Sequence, residues 1–138
     1  MSEANRTIVR RILEDLWNKK APALIDEIYA SNYVLHSADS TLHGPAGYRQ
    51  IYTTNVTAFP DCHFTIEDIV TEGDKVVTRF TFRGTHQGDW RGIAPTGKQV
   101  TVQGIAILRT ASGKVVEEWA VWDTLSRMQQ LGVVPMSG

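Results

Sequence analysis

The sequence predicts an α+β fold, a cone-shaped barrel in which N-terminal helices pack on a curved, mostly antiparallel sheet. The first observation is a change of period, because apolar residues recur at helical spacing before Pro60 and long β-rich segments follow it. The second observation is the presence of turn-forming residues between those segments. Glu72-Gly73-Asp74 and Ser112-Gly113 have the composition of hairpin turns. A twisted sheet of this kind buries one face under the helices, and if the sheet curls around them its interior becomes a cone with one open end.

The N-terminal half contains three predicted helices, with one short strand between the second and the third. Apolar residues in each helix recur three and four apart, and prolines stand near the start of the second and third helices. The expected bounds are residues 3–19, 22–29 and 45–59 for the helices and 33–36 for the strand, with a loop at 42–45.

The C-terminal half contains four predicted strands and a short final helix. The strands are rich in Val, Thr, Ile and Phe, and the simplest pairing of neighbours is antiparallel. Four of the eleven glycines fall in residues 84–98, which predicts a loop that could cover a pocket. The expected strands are residues 62–71, 75–83, 99–110 and 114–123, and the helix follows from Asp123 to a closing Gly132.

Composition limits the class of protein. A chain of 138 residues with 42% hydrophobic residues predicts one domain over residues 1–138. The net charge of −1, from 14 basic and 15 acidic residues, gives no reason to expect nucleic acid or an anionic membrane as partner. The lone Cys62 forms no intrachain disulfide, and the N-terminus lacks the apolar core of a signal peptide, so we expect a cytoplasmic protein.

The segment that ends at Asp123 carries the main candidate for chemistry. If residues alternate along the strand, Trp119 and Asp123 share one face, and we expect Asp123 at the buried end of the strand. A carboxylate without water is paired, hydrogen-bonded or raised in pKa, and the last case suits a general base. The alternative is an N-cap of the following helix, which is the commoner role for such an aspartate, and both roles can coexist.

Other polar and aromatic residues complete the predicted site. Gln103 is a polar amide in an apolar strand, and it either donates to a substrate carbonyl or satisfies a neighbouring backbone group. His36 lies on the first predicted strand, as a proton carrier or as a structural histidine. Tyr33, Tyr48 and Trp119 either fill the core or line a site for a flat polycyclic ligand. The four histidines lack the close spacing of a helical zinc site, so we expect no metal.

Several motifs together resemble the SnoaL-like polyketide cyclase family, which is part of the superfamily similar to nuclear transport factor 2. These motifs cover nearly the whole chain and include Gly44-Pro45-Ala46-Gly47, Phe59-Pro60-Asp61, Gly84-Thr85-His86-Gln87-Gly88, Gly92-Ile93-Ala94-Pro95-Thr96-Gly97-Lys98, Gly113-Lys114-Val115-Val116-Glu117-Glu118-Trp119 and Trp122-Asp123. The resemblance implies a cone-shaped α+β barrel with a pocket between sheet and helices. It also implies a homo-oligomer, either a dimer or a tetramer.

The resemblance further implies an enzyme that closes a ring by intramolecular aldol chemistry without a cofactor, on a small hydrophobic carbonyl or polycyclic substrate. By its place in the motif, Asp123 matches the aspartate that removes a proton α to a carbonyl, with Gln103 and His36 as its expected partners. Cyclases of the family also use a histidine on the penultimate long strand, for which this strand offers no counterpart. The alternatives are an isomerase, a dehydratase or an epoxide hydrolase on the same fold, or a non-catalytic module for ligand binding or dimerisation.

Overall fold

The computed structural model describes residues 2–135, in which three helical segments precede the first strand and the four long C-terminal strands follow the helix Gly44–Ala58. The elements are α1 (Ser2–Arg10), a π-helical segment (Arg11–Asn18), α2 (Leu24–Ile28), β1 (Tyr29–His36), β2 (Thr41–His43), α3 (Gly44–Ala58), β3 (His63–Glu72), β4 (Lys75–Thr85), β5 (Gln99–Ala111), β6 (Lys114–Trp122) and α4 (Thr124–Gln130). None of these helices is both long and apolar enough to cross a membrane.

The helix predicted over residues 3–19 is confirmed, and its second half has an unexpected geometry. After Arg10 the backbone continues as a π-helix, and this segment turns Ile12, Leu13, Leu16 and Trp17 into the core. π-Helical turns occur often at functional sites because they re-aim side chains along a helix. Here the wider turn places Trp17 over the inner face of the sheet.

The six strands form one sheet with the order β2-β1-β6-β5-β4-β3. All neighbouring pairs are antiparallel except β1 and β6, which run parallel, so the predicted mostly antiparallel sheet is confirmed. Two local expectations were wrong. β1 begins at Tyr29, which was expected to end the second helix, and part of the expected loop at 42–45 is β2. In both places strand pairing overrides local propensity, since Tyr29 aligns with the distant Val115 and Leu42 aligns with Leu35 of the preceding strand.

Strict alternation along β5 separates the two faces of the sheet. Val100, Val102, Ala106 and Leu108 are buried on the inner face, which packs against the helices. Thr101, Gln103 and Ile105 are exposed on the outer face. The fold therefore directs one residue parity of each central strand into the interior.

The glycine-rich loop does not cover the interior cavity. The amide groups of Gln87 and Gly88 donate to the carbonyl oxygen of Ala58, at 2.9 and 3.1 Å, and dock the loop on the end of α3. A Cβ atom at Gly88 would lie 2.2 Å from the carbonyl oxygen of Thr57, so this close approach requires glycine. The Nδ1 atom of His86 accepts from the backbone amide of Thr96 and closes the loop on itself.

Candidate active site

A cavity lies between the inner face of the sheet and the helices. Its empty space, counted together with the open mouth, is about 520 Å³. Its walls are mostly apolar, and four lining residues carry a polar side-chain group besides the indoles: Tyr29, Tyr48, Thr78 and Glu118. An apolar cavity with a few convergent polar groups is typical of an enzyme or ligand-binding site.

Glu118 is the carboxylic acid of this cavity. It is 7% exposed, and its Oε1 atom accepts a hydrogen bond of 2.7 Å from the Tyr33 hydroxyl. Within residues 2–135 no Lys, Arg or His lies within ion-pair distance of Glu118. Burial raises the pKa of Glu118 from 4.5 to about 7, and the hydrogen bond from Tyr33 offsets part of that increase. At neutral pH the protonated and the ionised forms of Glu118 are therefore both populated.

Strand pairing explains why Glu118 is buried. β6 is an interior strand, with β1 on one side and β5 on the other, and Glu118 aligns with Leu35 and Leu108. Leu108 belongs to the buried parity of β5, so its neighbour Glu118 also faces the interior. The adjacent Glu117 faces outward, where it contacts His36 and Arg109.

Three tyrosines form the wall beside Glu118. The rings of Tyr29 and Tyr48 stack with centroids 4.2 Å apart, and Tyr33 packs edge-on against Tyr29 at 4.7 Å. The Tyr48 hydroxyl accepts a 2.8 Å hydrogen bond from Nε1 of Trp17. Tyr29 and Tyr33 are four residues apart on β1, so alternation along the strand places both side chains on the inner face. Of the predicted ligand-site residues, Tyr48 lines the cavity, whereas Tyr33 contacts Glu118 without lining the cavity itself.

The expected burial of Asp123 is wrong. Asp123 is exposed, and its Oδ1 atom accepts a 3.0 Å hydrogen bond from the backbone amide of Ser126 as the N-cap of α4. The chain leaves the strand at Trp122, so alternation no longer applies to the next residue. Asp123 does not line the cavity, and any part for its carboxylate in catalysis stays a prediction.

Gln103, His36 and Trp119 were expected at the pocket, but none of them lines it. Gln103 is exposed on the outer face. The Nε2 atom of His36 lies 2.8 Å from Oε2 of Glu117, and its ring stacks on Trp119 at 5.6 Å. The expected parity of β6 is wrong because the inner residues are Glu118, Ala120 and Trp122.

Sequence reasoning missed Glu118, although one signal pointed to it. By alternation, Glu118 lies on the same strand face as Ala120 and Trp122. It is therefore an acidic residue on a face that is apolar toward the end of the strand. Its position near the start of β6 favoured a solvated side chain. The parallel partner β1, which covers that start, cannot be read from local sequence.

Comparisons with known proteins agree with this architecture. The family model of the SnoaL-like polyketide cyclases matches residues 7–131. The structure of AclR from Streptomyces galilaeus, described as a candidate hydroxylase, is similar with a TM-score of 0.89 and 29% identity, over 100% of this chain and 86% of that one. IdmH from Streptomyces antibioticus, a candidate polyketide cyclase, has a TM-score of 0.80 and 28% identity, over 93% and 98% of the two chains. No curated protein matches the chain.

Proposed function

Because the chain belongs to the SnoaL-like polyketide cyclase family, which supports a role of the cyclase or isomerase type, we propose that Glu118 is its general acid and base. The proposed substrate is a hydrophobic carbonyl compound that enters the cavity. One observation carries this proposal: a buried carboxyl group, without a cation beside it in the described chain, faces an apolar cavity with its pKa raised to about 7. A base is most effective when its pKa lies near the working pH.

In the proposed reaction, the Glu118 carboxylate removes a proton from the carbon α to a ketone. The electrons of that C–H bond form an enolate, and the apolar walls exclude water that would compete for the proton. The enolate carbon then attacks a second carbonyl of the same molecule, so that one C–C bond forms and an alkoxide results. Glu118 returns its proton to the alkoxide, which completes an intramolecular aldol cyclisation. Return of the proton to another carbon would give an isomerisation instead.

Tyr33 is a positioning residue in this proposal. Its hydroxyl donates to Oε1 of Glu118, which leaves Oε2 as the oxygen that accepts the substrate proton. Burial raises the pKa of Tyr33 far above its usual value, so the hydroxyl stays protonated and keeps donating. The carboxyl group is thereby held in one orientation before substrate arrives.

The experiment compares Glu118→Gln with Asp123→Asn on one simple ketone. The probe is 2-tetralone in deuterium oxide, and proton NMR measures the exchange of its α hydrogens. Glu118→Gln should lower protein-dependent exchange about 100-fold or more, whereas Asp123→Asn should leave it within about twofold. The wild-type rate should rise with pH around an apparent pKa of about 7. Loss of exchange in Asp123→Asn alone would contradict the proposal and favour Asp123 as base.

A non-catalytic module gives a different result in the same experiment. In that case 2-tetralone binds the protein without any exchange above the buffer rate, at every pH. The candidate hydroxylase AclR shows that similar chains carry other assigned reactions, so the proton-transfer step itself needs this direct measurement.

We also propose that two copies of the chain pair through the outer face of the sheet. Ile105 and Val121 lie directly opposite each other on β5 and β6 and are 49% and 63% exposed. Together they expose apolar side chains on the outer face, and burying such side chains against a second copy is the favourable change that drives pairing. Light scattering after size exclusion should give a dimer mass for the wild type and a monomer mass for Val121→Lys. Val70→Lys, at a comparably exposed position on the edge strand β3, is the control that should leave the mass unchanged.

A further inference from the structure

Two buried hydroxyl groups of the cavity have no hydrogen-bond partner among the described residues 2–135. They are the phenol of Tyr29, in a residue 1% exposed, and Oγ1 of Thr78, in a residue 4% exposed. Both residues line the cavity. Buried hydroxyls are normally satisfied, and each exception calls for an explanation such as a ligand that supplies the missing partner.

Tyr29 differs from the two tyrosines beside it in how its hydroxyl is used. The Tyr33 hydroxyl is committed to Glu118, and the Tyr48 hydroxyl accepts from Trp17. The Tyr48 hydroxyl also lies near that of Tyr29, but no hydrogen bond of acceptable geometry joins them. Burial raises the pKa of Tyr29 well above its usual value, so this phenol is a hydrogen-bond donor at any physiological pH. Two neighbouring rings hold it in place beside the Glu118 end of the cavity.

Thr78 lies toward the other end of the same cavity. It aligns with Ala106 on β5, which in turn aligns with Ala120 on β6, two residues beyond Glu118. With strands about 4.8 Å apart and a rise of about 3.4 Å per residue, the Cα atoms of Thr78 and Glu118 are roughly 12 Å apart. The inner-face residues between them are Ala106, Ala120 and Leu108, and the small side chains of the two alanines leave room for a ligand.

We propose that the ligand of this cavity is an elongated, mostly apolar ketone with a second oxygen at its far end. Its ketone oxygen accepts a hydrogen bond from Tyr29 beside Glu118, and its second oxygen, a hydroxyl or a carbonyl, bonds to Thr78. This inference rests on the proposed function and specifies its substrate class. Tyr29 is then a catalytic residue, because its donor stabilises the enolate oxygen that forms when Glu118 removes the proton. Thr78 determines specificity for the second oxygen.

The experiment uses a matched set of bicyclic probes: tetralin with no oxygen, 2-tetralone with one, and 6-hydroxy-2-tetralone with an oxygen at each end. Binding is followed by titration calorimetry, which requires no turnover. The wild type should bind 6-hydroxy-2-tetralone about tenfold more tightly than 2-tetralone, the ratio expected for one additional buried hydrogen bond. Thr78→Val should remove that preference while its affinity for 2-tetralone stays the same.

Tyr29→Phe tests the other end of the ligand. It should reduce the preference for 2-tetralone over tetralin and slow α-hydrogen exchange. The control for exchange is Asp123→Asn, at a helix cap outside the cavity. Tyr29→Phe and Thr78→Val both remove an unpaired hydroxyl, so each should unfold in urea at a midpoint equal to or above that of the wild type. A clearly lower midpoint without ligand would show that the hydroxyl already has a structural partner, and this would overturn the inference.

The outcomes separate this inference from the proposed function. Exchange of 2-tetralone by the wild type, together with equal affinity for the two ketones, overturns the two-oxygen ligand and leaves Glu118 as the base. A Thr78-dependent preference without any exchange supports the ligand class and overturns the catalytic role. Failure of 6-hydroxy-2-tetralone to bind overturns the inference.

Discussion

Glu117 and Glu118 are adjacent on β6 and point to opposite sides of the sheet. Glu118 faces the cavity and bonds to Tyr33, whereas Glu117 contacts His36 and Arg109 on the outer face. Their pKa values shift in opposite directions. Burial raises the pKa of Glu118 to about 7. The pKa of Glu117 is lowered, mainly by its hydrogen bond with His36 and next by its hydrogen bond with Arg109. Because successive side chains of a strand point to opposite faces, Glu118 is a candidate base in the cavity while its neighbour Glu117 takes part in a surface ion pair.

Glu118→Gln should increase stability at alkaline pH. The folded state keeps Glu118 protonated up to about pH 7, whereas the unfolded chain ionises near 4.5, so the folded state binds more protons between these values. The stability of the wild type therefore falls as pH rises through this window, by about 3 kcal/mol in all. Glutamine does not titrate, so the variant should match the wild type at pH 4.5 and exceed it at pH 8, as measured by urea unfolding.

The matched control for that prediction is Glu117→Gln. The folded pKa of Glu117 is lowered, so its carboxylate contributes stability above the unfolded pKa and loses it in acid. Glu117→Gln should therefore be less stable than the wild type at pH 8, a change of opposite sign. Equal effects of both substitutions at pH 8 would contradict the different environments of the two side chains.

Asp123→Ala should destabilise the protein by about 1 kcal/mol through the loss of a helix cap. The side chain of Asp123 accepts from the amide of Ser126, and alanine leaves that amide without its partner. Asp123→Asn keeps an acceptor and should retain most of the stability. Chemical unfolding of both variants makes the comparison, and a loss of comparable size in Asp123→Asn would show that the charge contributes more than the hydrogen bond.

Arg127→Lys should destabilise the protein more than Arg127→Met does. Arg127 is 3% exposed, and its guanidinium lies over four aromatic rings, at 4.7 Å from Trp90 and 5.0 Å from Phe82 for the two nearest. Its one hydrogen-bond partner among residues 2–135 is Oδ1 of Asn55, at 2.9 Å. Burial lowers the pKa of this guanidinium, so the folded state already opposes the charge.

Lysine retains the buried charge but loses the planar stacking, and its ammonium is more strongly hydrated than a guanidinium, so we expect a loss of about 2 to 3 kcal/mol. Methionine removes the charge and still fills the space among the rings, at a cost of about 1 kcal/mol for the unpaired Asn55. Thermal and urea unfolding of both variants measure the difference. A larger loss for methionine would mean that the buried charge itself is stabilising.

Local sequence determined the elements of the fold. The helical period of residues 3–19 and the hairpin turns at Gly73 and Gly113 predicted helices and strands that the structure confirms. The family resemblance on the glycine-rich and Trp-Asp motifs was also correct. That residues 1–138 form a single domain stays a prediction. These features follow from short-range chemistry, because periodicity and turn residues act within a few positions of each other.

The tertiary structure alone decided which carboxylate faces the cavity. Alternation along β6 defined two possible faces, but it did not say which one the helices cover. Parallel pairing with β1 buries the start of the strand at Glu118, and the chain leaves the sheet before Asp123, which instead caps a helix in solvent. The first fact depends on contacts between segments more than 80 residues apart, such as the bond from Tyr33 to Glu118, and the second depends on where the pairing of β6 with β5 ends at Trp122. A local pattern cannot specify such contacts, since burial belongs to the packed sheet as a whole.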